Sequence, residues 1–386
     1  MTSVRASLKR FFSPFLLAFT AIILGVLTYV ALRASTSVWQ WLVLFGLGAL
    51  FWTLPAIQWR SEADLHSRGQ LLLQQASYLS MGFLSWMLVI TVIRDLSLLG
   101  IKLIEAVSWA APESASRLAH QTSGVWMFAA AGLCTLWGIL VASKGLRIRE
   151  VRVPVEGLPR ELEGFKIAQI SDLHVGPTIG RDYVEKVVGL VSKLKPDLTV
   201  LTGDIVDGNI ANFREAVQPF TRLVPQGKVY FAPGNHEYYW DIHLWLKELS
   251  RLGIKILLNQ GEAVEARGAK LWVGGVTDPA AGHAPSVEKA SQGSQNADFK
   301  LLLSHRPEIA SDAKKAGFDL QLSGHTHGGQ FFPWTIVVKF FHEYVTGLYQ
   351  DGSLHVYVSP GTGTWGPPIR VGTTPELTCI ELLRKE

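Results

Sequence analysis

Charged side chains are scarce in this sequence: Asp, Glu, Lys and Arg make up 18% of 386 residues, against 48% apolar ones, and mean hydropathy is +0.21. An ordinary soluble domain carries about 25% charged residues. So much apolar side chain excludes a disordered or collagen-like chain. Cysteine is nearly absent as well. Cys134 and Cys379 are the only two, so there is no disulfide framework and nothing that points to an oxidising compartment. Internal repeats and low-complexity tracts are missing. So is a basic stripe with interleaved aromatics, so no nucleic-acid partner is expected.

The charge that is present is unevenly divided. Residues 1–150 hold 12 Lys/Arg and 6 Asp/Glu, net +6, while the remainder holds 24 and 26, net −2. The basic part is also the apolar part. Runs free of Asp, Glu, Lys and Arg extend for 22 residues after Arg10, 26 after Arg33, 25 after Arg68 and 26 after Arg117. Crossing about 30 Å of hydrocarbon takes about 20 residues of helix. The runs therefore predict a four-helix transmembrane region over residues 1–146, with spans at about 12–32, 38–57, 72–93 and 124–142. Trp39, Trp41, Trp59, Trp109 and Trp126 fall near the span ends, where amphipathic rings favour the interface. Four such runs with almost no amphipathic helix to cover them argue against buried helices of a soluble core. The first run is too long for the apolar stretch of a signal peptide, and three more follow it.

Orientation follows the bias of Lys and Arg between short loops. With four spans, one side carries Arg5, Lys9, Arg10, Arg60, Arg68, Lys144, Arg147, Arg149 and Arg152, and the other Arg33, Arg94, Lys102 and Arg117. Nine against four predicts a multi-pass protein of the cell (inner) membrane with its C-terminal part in the cytoplasm. Leu96–Trp109, with Lys102 and Glu105 among apolar residues, reads as a separate helix lying on the opposite surface.

Composition changes near Arg147. Residues 147–160 read as a basic linker with an entering strand, and residues 161–386 as an α/β domain. Apolar runs of strand length end repeatedly in polar, glycine-rich loops: Phe165–Ile170 before SDLHVG, Leu198–Leu201 before TGDIVDG, Val229–Ala232 before PGNHEYY, Leu301–Leu303 before SHRP, and Leu320–Leu322 before SGHTHGGQ. Helical patterns cover Tyr183–Leu194, Phe213–Leu223 and Ile242–Leu252. Lys255–Leu258, Ala263–Ala266, Lys270–Val276, Ser353–Val358 and Leu377–Leu383 read as antiparallel strands. The pattern predicts stacked, mixed sheets with helices outside.

The chemistry-bearing residues sit in those loops, where open α/β sheets place ligands. They are Asp172 and His174, Asp204, Asn235, His236 and Glu237, His305, and His325 and His327. Asp172 and His174, at i and i+2 of a strand, would share a face. Leaving His236 and Glu237 aside, two Asp, one Asn and four His give seven N/O donors and no thiolate. That is too many for one tetrahedral zinc and suits two divalent ions, with net positive charge left to attract a phosphate. His243, His283, His342 and His355 have no partner pattern and read as structural. Asp207 and Asp319 read as supporting or capping groups. Trp334 and Trp365, with 363–368, are candidates for a pocket wall.

The set D-x-H, G-D, G-N-H-E, H and G-H-x-H, in this order, resembles the calcineurin-like metallophosphoesterases. SDLHVG, GHTHGGQ and GTGTWGPPIR are similar to their bacterial membrane-anchored branch. The resemblance covers about Phe165–Leu383 and implies an αββα sandwich of two mixed β-sheets flanked by helices. It implies two divalent metal ions (Mn, Fe, Zn or similar), with Asp172, His174 and His327 on the first, Asp204 bridging, and Asn235, His305 and His325 on the second. A hydroxide bridging the ions would attack phosphorus, and His236 would stabilise charge or protonate the leaving alkoxide, oriented by Glu237 or a neighbouring carboxylate.

Three functions compete at this stage. The first is a membrane-anchored phosphohydrolase of phosphodiester or pyrophosphate bonds in a phosphorylated small molecule or lipid, with a lipid-linked nucleotide pyrophosphohydrolase as its variant. The second is a metal-binding membrane sensor without turnover, whose mark would be a lost ligand or lost His236. The third is a transporter, which would place ionisable residues inside the spans. The complete residue set favours the first. Nothing in the sequence sets the oligomeric state.

Overall fold

A computed structural model of the chain describes residues 14–58, 67–108, 117, 124–226, 228–282 and 284–385. The basic residues Arg5, Lys9, Arg10 and Arg60, the candidate interface rings Trp59 and Trp109, the start of the first predicted span, and His283 lie outside the described residues. The chain divides into two compact units, Met1–Arg60 with Arg68–Trp137, and Ser61–Ser67 with Gly138–Glu386.

The first unit is helical. Helices α1 (Pro14–Ala34), α2 (Val38–Gln58), α3 (Arg68–Ser108) and α4 (Val125–Lys144) follow the charge-free runs. Two of them, over Leu16–Ala34 and Val125–Lys144, are long and apolar enough to cross a membrane, and Val38–Leu54 is a shorter apolar stretch. One expectation is corrected here. The third span and the surface helix expected after it form one 41-residue helix that runs through Arg94 and Asp95 without a break. The Asp95 carboxylate is matched locally: it accepts from Tyr29 Oη at 3.0 Å and lies 3.2 Å from Arg33 Nε and 2.8 Å from Arg94 Nη1. With its charge paired, Asp95 does not force the helix to end.

The second unit is a sandwich of two mixed six-stranded sheets. Its elements in order are β1 (Arg147–Glu156), β2 (Lys166–Ile170), α5 (Arg181–Leu194), β3 (Leu198–Thr202), α6 (Ile210–Val217), β4 (Lys228–Ala232), α7 (Asn235–Tyr239), α8 (Ile242–Arg251), β5 (Lys255–Ile256), β6 (Gln260–Ala266), β7 (Ala269–Gly275), α9 (Val287–Ala290), β8 (Phe299–Leu303), α10 (Ala310–Lys315), β9 (Leu320–Ser323), α11 (Trp334–Val337), β10 (Gly347–Asp351), β11 (Leu354–Val358) and β12 (Glu376–Lys385). One sheet runs β1-β12-β2-β3-β4-β5, the other β10-β11-β9-β8-β7-β6. Strands β2 to β5 are parallel to one another, as are β7, β8, β9 and β11. Of the strands expected to be antiparallel, β5 pairs parallel with β4, while β11 and β12 each have one parallel and one antiparallel neighbour.

Apolar residues on every other position of both sheets meet between them, including Ile167, Val200, Tyr230, Leu271, Val273, Leu301, Leu303, Leu322, Tyr357 and Ile380. Helix α5 covers the outside with Val184, Val187, Val188 and Val191, an i, i+3, i+4, i+7 stripe. On the outer face of the second sheet, Ala310 and Ala313 of α10 pack with Leu302, Leu354 and Val356.

Within residues 147–160, expected as a basic linker with an entering strand, Arg147–Glu156 form an integral edge strand. β1 pairs in parallel with β12 along its whole length, and Val153 and Val155 enter the inter-sheet core. Pro154 is tolerated because β1 is an edge. Val153→Asp should therefore cost about 3 kcal/mol or more, since it buries a carboxylate with no partner. Denaturant unfolding of the purified chain checks this; an unchanged midpoint would mean that the segment is a dispensable linker.

Candidate metal centre

Five parallel strands from both sheets, β2, β3, β4, β8 and β9, end on the same side, and the loops that follow carry all the residues singled out above. The backbone there is unusual. Asp172, His174, Asp204, His325 and His327 all adopt positive φ, at 51°, 54°, 52°, 71° and 51°. Each such residue costs about 1–2 kcal/mol in the left-handed region. Non-glycine residues gathered in that region are a mark of a functional site. Asp172 and His174 lie beyond the last strand residue, Ile170, so strand alternation is not what aims them; the left-handed turns are.

The loops also touch at backbone level. A Cβ on Gly324 would lie 2.0 Å from Asp172 Oδ2, and one on Gly234 would lie 2.2 Å from Asp204 Oδ1. Only glycine fits at either position.

Three groups of side chains come together among the described residues; one of them, His174 with Asp207 and His236, shares His174 with the first of the two that follow. Asp172, His174 and His327 make one, and Asp204, His305 and His325 the other, with the donor atoms of each within 4.8 Å of one another. His174 Nε2 faces His327 Nε2 at 3.0 Å, and His327 Nε2 lies 3.3 Å from Asp172 Oδ1. His305 Nε2 lies 3.1 Å from Asp204 Oδ2 and 3.3 Å from His325 Nδ1. Asp204 stands between the clusters, its Oδ2 being 3.8 Å from His174 Nε2. Asn235, buried at the start of α7, has an Oδ1 with no hydrogen-bond partner, and His174 Nδ1 also lacks one.

Neighbouring backbone orients one ring. His305 Nδ1–H donates to the Thr202 carbonyl at 2.9 Å, which turns Nε2 toward Asp204 and the cluster. Burial pushes His174 down to about 3, His325 to about 2 and His327 well below the ordinary histidine range. These rings are neutral at physiological pH and present lone pairs. Burial opposes charge on His305 as well, but Asp204 beside it outweighs that and lifts it to about 10. Burial raises Asp172 to about 6; Asp204 is held well below the usual carboxylate range, where His305 and His236 overcome its burial. Three neutral imidazoles, His305, the unpartnered Asn235 Oδ1 and His174 Nδ1, and two carboxylates gathered in a buried space form an N/O donor set that suits divalent cations.

Asp207, which reads from sequence as a supporting or capping group, is the neighbouring carboxylate that holds His236, while Arg370 is not singled out by the sequence. His236 Nδ1 is 2.9 Å from Asp207 Oδ1, which also accepts from Trp240 Nε1 at 2.9 Å. Burial opposes charge on His236, yet Asp207 and Asp204 outweigh it and hold the imidazole at about 9. Asp207, not Glu237, orients His236. Glu237 instead takes four backbone N–H groups on its carboxylate, from Asp204 (3.0 Å), Ile205 (2.7 Å), Val206 (3.2 Å) and Gly234 (2.7 Å), and so clamps two loops together. Asp207 closes the GDIVDG block, and its place in that block was the available signal. Arg370 ends the GPPIR stretch and is fully buried. It donates to the carbonyls of Gly363 (2.6 Å), Gly361 (3.4 Å) and His327 (3.4 Å), tying the last loop to the His327 turn. His342, read as structural, lies edge-on to His325 at 5.8 Å.

A family model for calcineurin-like phosphoesterases matches residues 165–329. The chain is 36% identical over 260 residues to a transmembrane protein with metallophosphoesterase domain from Danio rerio, covering 64% of this chain and 60% of that one. It is 36% identical over 245 residues to an uncharacterized metallophosphoesterase from Helicobacter pylori, at 62% and 64% coverage. An uncharacterized metallophosphoesterase from Aquifex aeolicus is 35% identical over 248 residues, which is 62% of this chain and 93% of the relative. The chain thus spans about three-fifths of the Danio rerio relative's length and nearly all of the Aquifex one. With nearly the whole of that relative aligned on the part of the chain that carries the clusters, the chain belongs to the calcineurin-like metallophosphoesterases.

Proposed function

We propose that the chain is a metal-dependent phosphoesterase, a membrane-anchored dinuclear enzyme that hydrolyses a phosphodiester or pyrophosphate bond. The observation that carries this reading is the pair of donor clusters joined through Asp204, with a charged histidine beside them. Asp172, His174 and His327 would hold one divalent ion, Asn235, His305 and His325 the other, and Asp204 both. Ions bound there supply Lewis acidity toward phosphoryl oxygens and lower the pKa of water; Mn, Fe and Zn all suit these donors. His236, protonated at neutral pH and fixed through Nδ1 by Asp207, keeps a proton at Nε2. That nitrogen is 3.9 Å from Asp204 Oδ2, so the proton is carried next to the cluster, where a leaving oxygen would take it. Arg370 keeps the His327 turn in place, and Glu237 does the same for Asp204.

Support for anchoring comes from the two helices of bilayer-crossing length and from relatives named as transmembrane proteins. The proposal includes α2 and the first part of α3 as further spans, and a cytoplasmic catalytic domain, from the nine-to-four charge bias. It assigns no nucleic-acid partner.

The purified full chain should hydrolyse bis(p-nitrophenyl) phosphate with Mn²⁺ and lose activity on exhaustive chelation. Asp204→Asn should lower the rate by about two orders of magnitude or more. Activity that survives both treatments contradicts the dinuclear reading. Asp207→Asn removes the charge that holds His236 up, so the proton on His236 is lost at lower pH. The descending alkaline limb of kcat/KM should move to lower pH, with kcat reduced by about tenfold to a hundredfold. An unmoved limb would remove His236 from the acid role. For topology, a C-terminal green fluorescent protein fusion should fluoresce and a C-terminal alkaline phosphatase fusion should stay inactive; the opposite pair places the domain outside.

A further inference from the structure

The mouth of the metal centre carries an apolar ridge that the hydrolytic reading leaves unused. After the His327 turn the chain forms α11 and then a single turn over Val338–Phe340, and neither contains a buried residue. Phe340 is 80% exposed and Phe341 77%, with Trp334 and Ile336 exposed beside them. Lys339, also exposed, sits between the aromatics. Two adjacent phenylalanines left in water are costly to solubility and mark an interaction surface.

The ridge is fastened to the site at both ends. Gln330 donates to the carbonyls of Trp365 (2.9 Å) and Pro367 (3.0 Å) and accepts from Trp365 N–H at 2.9 Å. At the far end, His342 meets His325 edge-on, and its Nδ1 is 2.6 Å from Glu308 Oε1. Trp365, itself exposed, lies edge-on to His236 at 6.1 Å, and exposed Tyr239 does so at 5.1 Å. Apolar surface thus continues from the ridge to the histidine beside which a leaving group would depart.

The composition says what covers this surface. Exposed Trp and Phe with an interleaved lysine, in a short helical segment, is the make-up of an element that lies in a lipid interface, with the ammonium reaching the headgroups. A bilayer is also at hand, because only Gly145 and Leu146 separate α4, of bilayer-crossing length, from β1 of the catalytic unit.

We propose that the ridge Trp334–Phe341 enters the lipid interface and that the enzyme takes its substrate from the bilayer, as a lipid phosphodiester or pyrophosphate whose apolar part lies against the ridge and Trp365. This rests on the phosphoesterase reading above and narrows its substrate class.

The full chain is placed in phosphatidylcholine–phosphatidylglycerol nanodiscs. A nitrobenzoxadiazole label on Phe341→Cys is compared with one on Lys193→Cys, an exposed position in the last turn of α5 near the opposite end of the strands; the unsubstituted chain serves as the blank for Cys134 and Cys379. The label at 341 should shift to the blue and be quenched by spin-labelled lipid, while that at 193 should not. A label at 341 as wet as that at 193 overturns the proposal. Protection at 341 that spin-labelled lipid does not quench assigns the surface to a second copy of this chain and overturns it as well. A second arm uses one chromophore in two settings, soluble bis(p-nitrophenyl) phosphate and phosphatidyl-p-nitrophenol embedded in the disc. Phe340→Ser/Phe341→Ser should leave the soluble rate within about twofold and lower the embedded rate by about tenfold or more. Parent enzyme that cleaves only the soluble probe, or a variant that falls equally on both, contradicts the lipid-substrate assignment. Loss of the soluble activity in the parent would instead count against the phosphoesterase reading, and the labelling arm would still decide the ridge.

Discussion

Nearly everything at the catalytic end of this protein follows from one constraint: imidazole and carboxylate groups are crowded into a dry space where they cannot satisfy one another. His174 and His327 turn the same nitrogen toward each other at 3.0 Å, and protonating both rings would bury two positive charges side by side. Burial keeps both rings neutral, which preserves the lone pairs. A single carboxylate, Asp204, serves both clusters. Such an arrangement is expensive as a protein interior and appropriate as a cation site.

The fold is arranged to sustain that cost. Five strand ends from two sheets deliver the side chains, and five of the seven candidate ligands take left-handed backbone to do so. The strain is held by groups that never face the cluster. Glu237 binds four amides from two loops, Arg370 binds three carbonyls of the loops opposite, and the Thr202 carbonyl fixes the orientation of the His305 ring. Each turns the end of a flexible loop into a fixed position, which is what a site that must discriminate charge in a phosphoryl group requires.

What was legible in the sequence and what was not divides along range. The strand-to-loop blocks are local patterns, and the strands after them lie where the apolar runs put them. The helices of the first unit follow charge-free runs for the same reason. Non-local partners were hidden. Residues 147–156 mix Arg and Glu with valines and read as a linker with an entering strand; only pairing with the last strand of the chain fixes the length of β1. The continuation of α3 past Arg94 depends on Tyr29 and Arg33 from another helix. Among site residues, the motif blocks named the side chains that converge, but strand alternation was the wrong reason for Asp172 and His174. Asp207 reads as a supporting group from its place in the GDIVDG block, but the choice of Asp207 over Glu237 as the partner of His236 depends on where two loops meet. The buried state of Arg370 was equally hidden, since an arginine after two prolines looks like a surface residue until two loops close over it.

The central claim is that two cations, bridged by Asp204, complete the catalytic unit. Anomalous scattering from crystals grown with Mn²⁺ tests it most directly. The account predicts two peaks, one among Asp172, His174, His327 and Asp204, the other among Asp204, Asn235, His305 and His325, with the Asp204→Asn protein losing at least one of them. A single peak in the native protein, or peaks away from these seven residues, would contradict it.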